Sequence, residues 1–184
     1  MKIKVGINGM GRIGRMILRS LIERNNTNIE IKHINNKTNS EVCSSLLKYD
    51  SVHGKFEADI VSERKHLIIN KNKITFSQET DIKKIDWKKY NVDYVFECTG
   101  KFNSKDKLKP HLINGAKKVI VSAPCINADK TIVFGVNNSE IKKNDKIISA
   151  ASCTTNCLAP VAHVLNENFN IEKGFMTTIH SFTS

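Results

Sequence analysis

The sequence contains no apolar run approaching the ~20 residues that a membrane-crossing helix needs. Met1 to Gly6, interrupted by Lys2 and Lys4, is too short for the core of a signal peptide. The expectation is a cytoplasmic protein with no membrane partner. No internal repeat or low-complexity linker divides the chain. The cysteines, Cys43, Cys98, Cys125, Cys153 and Cys157, are odd in number, which argues against a disulfide framework and for free thiols. Cys153 and Cys157 stand four apart with no second pair at zinc-ligand spacing, so no metal site is expected. Acidic residues are in deficit, 18 against 29 Lys and Arg, for a formal net charge of +11. The excess lysines, among them Lys83, Lys84, Lys88, Lys89, Lys105 and Lys107, are scattered among polar residues. Aromatic side chains do not interleave with them, as a nucleic-acid stacking platform would require. Small phosphorylated molecules are therefore the expected anionic partners.

What is present is an ordinary globular balance: 184 residues, 40% hydrophobic and 26% charged, enough for one domain and part of another. Residues 3–8 read as a strand, 9–14 as a turn, 12–24 as a helix and 29–34 as a second strand, together one βαβ unit. A short helix over 42–48 follows. A hairpin is expected over 67–76, turning at Lys71-Asn72. Further strands are expected at 92–97, 119–122, 131–136 and 147–150. A helix over 105–114 is expected to be capped by Ser104 and to contain Pro110. Strands alternating with helices predict an α/β fold with a doubly wound, mostly parallel sheet of Rossmann type.

Gly9-Met10-Gly11-Arg12-Ile13-Gly14 fits the G-x-G-x-x-G pattern, following a strand and opening a helix. In that setting Gly9 allows the tight turn, Gly11 lets backbone approach a pyrophosphate, and Gly14 lets the helix pack on the sheet. The helix N-terminus offers free N–H groups to the phosphates. The same pattern ordinarily places Asp or Glu at the end of the second strand, to bind the ribose. Here that strand ends in His33-Ile34-Asn35-Asn36-Lys37, and no acid occurs between Glu30 and Glu41. An amide does not repel a 2′-phosphate, and Lys37 can attract one. Two readings stay open: NADP tolerated beside NAD, or Asn36 binding the ribose of NAD with less discrimination.

Ile147–Ala150 gives way through Ala151-Ser152 to Cys153, and residues 158–169 have helical spacing. Cys153 thus falls at a helix N-terminus, a place that favours the nucleophilic thiolate. Residues 175–179 read as a strand delivering His180, a residue type suited to act as its base.

Six segments, in order, carry a wider resemblance: residues 7–15, 47–54 (LKYDSVHG), Glu97-Cys98-Thr99-Gly100, Ser122-Ala123-Pro124, 152–160 (SCTTNCLAP) and Thr177-Thr178-Ile179-His180. Together they resemble the phosphorylating glyceraldehyde-3-phosphate dehydrogenase family along essentially the whole chain. The resemblance implies oxidation of a phosphorylated aldehyde with inorganic phosphate and NAD(P), through a thioester on Cys153 with His180 as base. It implies cofactor contacts from Asn8, Gly9, Gly11, Arg12, Ile13, Gly14, Asn36, Thr80, Thr99, Gly100 and Ser122. Ser152, Thr154 and Thr183 would hold phosphates. It implies a dinucleotide-binding domain over 1–151, the start of an incomplete α+β catalytic domain over 152–184, and a homotetramer for the full-length protein. Asn36 stands where the family has an acid, Thr80 where it commonly has arginine, and Phe182 where tyrosine is frequent. The segment Cys125-Ile126-Asn127-Ala128 also departs from the common lysine-bearing version. Family members continue well beyond the position of Ser184, so the expectation is a fragment with little turnover by itself. Erythrose-4-phosphate dehydrogenase and a non-catalytic nucleotide-binding module remain the alternatives.

Overall fold

The computed structural model describes residues 2–180. The chain opens with β1 (Ile3–Asn8), α1 (Arg12–Glu23), β2 (Ile29–Asn35) and α2 (Ser40–Lys48). A small ribbon of β3 (Tyr49–Asp50) and β4 (Gly54–Lys55) follows, then a meander of β5 (Ile60–Glu63), β6 (His66–Ile69) and β7 (Asn72–Ser77). The second half holds β8 (Tyr94–Glu97), α3 (Lys105–Ile113), β9 (Lys118–Val121), β10 (Lys130–Thr131), β11 (Ile147–Ser149) and α4 (Cys153–Phe169).

One 9-stranded sheet runs in the order β10-β11-β9-β8-β1-β2-β7-β6-β5. Pairing is parallel from β10 through to β7, and β6 and β5 extend that edge antiparallel. The sequence order of β7-β2-β1-β8-β9-β11 is the doubly wound dinucleotide-binding arrangement. Its reversal falls between β1 and β8, and a crevice opens there beyond the strands' carboxyl ends. β1 is central, and Val5 to Asn8 are buried, as a strand covered on both faces requires. Ile7, Leu18, Ile34, Leu47 and Phe76 share one buried cluster, while Leu108, Val119, Val121 and Ile147 form another. A third cluster centres on Trp87, whose ring fills the space a Cβ on Gly6 would take, 2.5 Å from that position.

Several expectations are corrected. The hairpin turns at Asn70-Lys71, one residue earlier than expected. Both residues have positive φ, 46° and 68°, as a two-residue turn matching strand twist demands. Residues 131–136 are strand only to Thr131. Beyond it Asn137 Oδ1 accepts from Val133 N at 2.8 Å and Val136 N donates to Val133 O, curling the chain into a turn. Ser104 is extended ahead of α3 but makes no side-chain cap. It bridges to Ile126, and Lys105 N donates to Ile126 O at 2.9 Å. The 92–97 strand begins at Tyr94. Residues 175–179 form no strand, because no described strand lies alongside to supply a ladder, and Phe175 and Ile179 are exposed. Helix 158–169 begins earlier, at Cys153, and the helix expected at 42–48 begins at Ser40. Thr183 and Phe182 lie outside the described residues.

His33 on β2 is fully buried. It is stacked on Tyr90 at 3.6 Å between ring centroids, and its two nitrogens lie 2.8 Å from Thr75 Oγ1 and Ser77 Oγ. Burial, with a smaller effect from the Lys89 charge, lowers its pKa from 6.5 to about 3. The folded state therefore resists protonation that the unfolded chain accepts. Stability is fully present above 6.5 and is lost as pH falls towards 3, with a limiting slope of about 1.4 kcal/mol per pH unit from this group. Chemical-denaturation curves at several pH values should show that decline, and His33→Gln should flatten it.

Candidate functional site: a glycine-loop cavity and a cysteine turn

The glycine loop leaves β1 at Asn8 and enters α1 at Arg12. Gly9 has φ +96°, and a Cβ there would meet Thr99 N at 2.8 Å, so the end of β8 presses directly on the turn. A Cβ on Gly14 would lie 2.0 Å from Gly9 O, so only glycine lets α1 start so close to the strand. At Gly11 the surroundings are open, with nothing within 4 Å of a built Cβ. Among the described residues no side chain caps the N-terminus of α1, which leaves its first N–H groups to meet an anion. A cavity of about 300 Å³ opens over this loop, with Asn8, Gly9, Gly11, Asn36, Thr80 and Thr99 in its wall. This open cradle of backbone donors fits the pyrophosphate of a dinucleotide.

Of the other expected cofactor residues, Arg12, Ile13, Gly14, Gly100 and Ser122 stand outside the cavity wall. The Arg12 guanidinium turns away to Asp50, at 2.5 Å. Hydrogen bonds from His53 N and Val52 N, together with Arg12, hold the Asp50 carboxyl at about 2. Ile13 is 48% exposed. Ser122 donates its backbone N–H to Glu97 O at 3.0 Å. Asn36 reaches the cavity, but its amide already has partners. Oδ1 accepts from Met10 N at 3.0 Å, and Nδ2 donates to Thr38 Oγ1 at 2.6 Å and Cys43 Sγ at 3.1 Å. It clamps the glycine loop to the end of β2.

Behind the cavity lies a buried polar chain that sequence reasoning missed as a site feature. Glu97, at the end of β8, is 1% exposed. Its Oε2 accepts from Asn8 Nδ2 at 2.6 Å and from His111 Nε2 at 2.9 Å, and its Oε1 accepts from Thr99 N and Thr99 Oγ1. Trp87 Nε1 can only donate, and it lies 2.8 Å from His111 Nδ1. That nitrogen therefore accepts, and the ring proton sits on Nε2, facing Glu97. Asn35 Nδ2 completes the chain by donating to Asn8 Oδ1 at 2.8 Å. The available signal was an acid ending an otherwise apolar strand, which burial makes costly unless donors answer it.

The second centre follows β11. Ala151 takes a left-handed backbone conformation, φ 60°, which a non-glycine residue adopts only when its surroundings impose it. The chain then enters α4 with Ser152 as N-cap, accepting from Thr155 N at 3.0 Å. Asn156 Nδ2 donates back to Ala150 O at 2.7 Å and Ser152 O at 2.9 Å, riveting helix to strand. Cys153 is thereby held, exposed, at the first helical position. Its Sγ lies 3.9 Å from Thr154 Oγ1, and His180 Nε2 lies 3.5 Å from that hydroxyl and 3.0 Å from Thr178 Oγ1. Thr154 stands between thiol and imidazole, so the two meet through a shared hydroxyl. Ser152 and Thr155 also line a separate cavity of about 350 Å³ with Cys125 and Asn103. Burial pushes the Cys98 thiol up to about 12 and raises those of Cys43 and Cys125, while Cys157 is exposed like Cys153.

Glu97→Gln replaces one carboxylate oxygen by a donor, and in either orientation that donor faces donors. The expected cost is about 1–3 kcal/mol, read as a lower denaturation midpoint, with Asn8 and Thr99 displaced from the cavity wall.

Two family models match the chain. One, described as glyceraldehyde 3-phosphate dehydrogenase, NAD binding domain, covers residues 3–105, and the other, its C-terminal domain, covers residues 152–184. Glyceraldehyde-3-phosphate dehydrogenase 2 of Bacillus subtilis (strain 168) is 47% identical over 100% of this chain and 54% of its own length. The glyceraldehyde-3-phosphate dehydrogenase of Cereibacter sphaeroides is 48% identical with the same coverage. That of Mycoplasma pneumoniae is 47% identical over 99% of this chain and 54% of its own. The chain spans about half the length of the curated relatives it matches. Its cradle, its cysteine turn and these matches over both segments make it a member of the glyceraldehyde 3-phosphate dehydrogenase family.

Proposed function

We propose that this chain supplies the cofactor cradle and the nucleophile of a phosphorylating aldehyde dehydrogenase acting on glyceraldehyde 3-phosphate. In this reading residues 1–151 are the dinucleotide-binding domain and residue 152 begins the catalytic domain. The observation that carries it is Cys153, exposed at the first position of α4, with Thr154 linking it to His180.

The roles follow from ordinary chemistry. The Cys153 sulfur forms a bond to the aldehyde carbon, and the carbonyl oxygen becomes a hydroxyl, giving a thiohemiacetal. The N–H groups at the start of α4 are placed to stabilise negative charge on that oxygen. His180 takes the hydroxyl proton, with Thr154 and Thr178 orienting the ring. The glycine loop and the first N–H groups of α1 would hold NAD, which would supply the two-electron acceptor for the hydride leaving the same carbon. A thioester remains on Cys153. An oxygen of inorganic phosphate attacks its carbonyl, the C–S bond breaks, and an acyl phosphate departs as the thiolate is restored. Ser152, Thr154 and Thr183 are proposed to position the phosphates of substrate and attacking ion. Asn8, Gly9, Gly11, Arg12, Ile13, Gly14, Asn36, Thr80, Thr99, Gly100 and Ser122 are proposed to serve the cofactor, Arg12 and Ile13 through backbone. A homotetramer is proposed for the full-length assembly.

Mass spectrometry after exposure to glyceraldehyde 3-phosphate and NAD without inorganic phosphate tests this. The expected product is a 3-phosphoglyceryl thioester on Cys153 that disappears when phosphate is added. Cys153→Ser should abolish it and Cys157→Ser should not. An adduct on Cys157, or none on Cys153, would overturn the reading.

A further inference from the structure

We propose that the cavity between the end of α1 and the β6–β7 turn is a binding site for a medium-chain carboxylate, with the alkyl chain on its floor and the head at its rim. The inference does not rest on the dinucleotide reading. The glycine loop lies at the carboxyl ends of the parallel strands, and this cavity lies at the opposite end, where β1, β2 and β7 begin.

The cavity measures about 430 Å³, within the ~300–1,000 Å³ of small-molecule sites. Its floor is aliphatic. Leu18, Ile69 and Ile74 belong to the buried cluster that holds Ile7 and Ile34, and Ile22 and Ile31 pack against it. Among the described residues no aromatic ring lines the cavity, so it offers no platform for stacking a base. Two tight turns bound it. Asn25, at φ 48°, follows α1, and Asn70 and Lys71, at φ 46° and 68°, turn β6 into β7.

The rim presents donors. Asn26 Oδ1 accepts from Asn28 N at 3.0 Å and from Ile29 N at 3.2 Å, and Asn70 Oδ1 accepts from Asp59 N at 2.9 Å. A backbone N–H can only donate, so these contacts fix each amide with its oxygen on the backbone and its Nδ2 left to donate. Among the described residues no acceptor engages either Nδ2. Lys2 lines the same cavity and takes part in no ion pair among the described residues. The other two charges in the wall already have partners, Glu30 with Lys32 at 2.5 Å and Lys73 with Glu63 at 3.2 Å. An aliphatic floor under two amide donors and an ammonium matches an alkyl chain that ends in a carboxylate, an acceptor-only group. A small phosphate ester without a chain would leave the floor wet.

Amide chemical shifts of the isotope-labelled protein, followed by NMR during titration with sodium octanoate, test the site. The expected result is saturable binding with the shifts centred on Leu21, Asn26, Ile31 and Asn70. Butanoate should bind at least about tenfold more weakly, because its chain buries less apolar surface. Asn26→Asp with Asn70→Asp keeps the oxygens that accept from the backbone and replaces both Nδ2 donors by negative charge. That double variant should lose octanoate affinity at least about tenfold and bind octanol as the wild type does. The wild-type shift map and the chain-length comparison decide the question even without the variant. Shifts centred on Gly9, Gly11 and Thr99, reversed by 5′-AMP, would place octanoate in the glycine-loop cavity and overturn the proposal. So would an absence of saturable binding, equal affinity for butanoate, or undiminished octanoate affinity in the folded double variant. Each of those results leaves the dinucleotide reading standing, because 5′-AMP binding is read separately in the same spectra.

Discussion

A buried carboxylate organises the crevice of this fold. Glu97 ends β8 inside the protein, where an unanswered charge would be prohibitive. Four donors converge on it, from Asn8 on β1, from His111 on α3, and from the backbone and hydroxyl of Thr99. Each contact is a positional constraint. Asn8 sets where β1 releases the chain into the glycine loop, Thr99 sets the wall opposite Gly9, and His111 carries the network back to Trp87 beneath Gly6. The cradle is rigid because moving any one of these leaves a buried donor or acceptor without a partner.

The same end of the sheet carries both parts of the proposed site. β1, β2 and β8 present the loops that form the cavity, while β11 hands the chain to α4 and so places Cys153. The left-handed backbone at Ala151 and the Asn156 bonds to Ala150 and Ser152 make that handover abrupt, which puts a side chain at the helix start instead of burying it. Backbone strain at such a turn is tolerated where the neighbouring hydrogen bonds over-determine it. Thr155 and Asn156 thus have structural duties within a segment whose proposed chemistry belongs to Cys153.

Charge distribution links these features to ligand choice. Most lysines are spread over the surface, some in pairs with nearby acids such as Asp93, Asp106, Asp129 and Glu140. Lys37 and Lys101 differ because two separate loops bring them to the wall of one cavity. A net charge of +11 says only that anions are welcome. The sheet topology decides which lysines meet at one cavity.

By itself the sequence determined the βαβ start, the glycine loop, the parallel α/β class and the pairing of Cys153 with a helix N-terminus. These depend on local rules: side-chain periodicity, glycine at positions where a Cβ clashes, and a polar cap before an apolar run. It misjudged residues 131–136, where the Asn137 turn curls the chain away after Thr131, and residues 175–179, beside which no described strand lies to supply a ladder. It also shifted the 70–71 turn by one residue, because Asn and Lys at positive φ give a weaker signal than glycine. Only the tertiary structure decided that Asn36 clamps the loop, that Thr154 lies between Cys153 and His180, and that Glu97 is answered from three elements. Those contacts join residues as much as 89 positions apart, and no local pattern records a partner that distant.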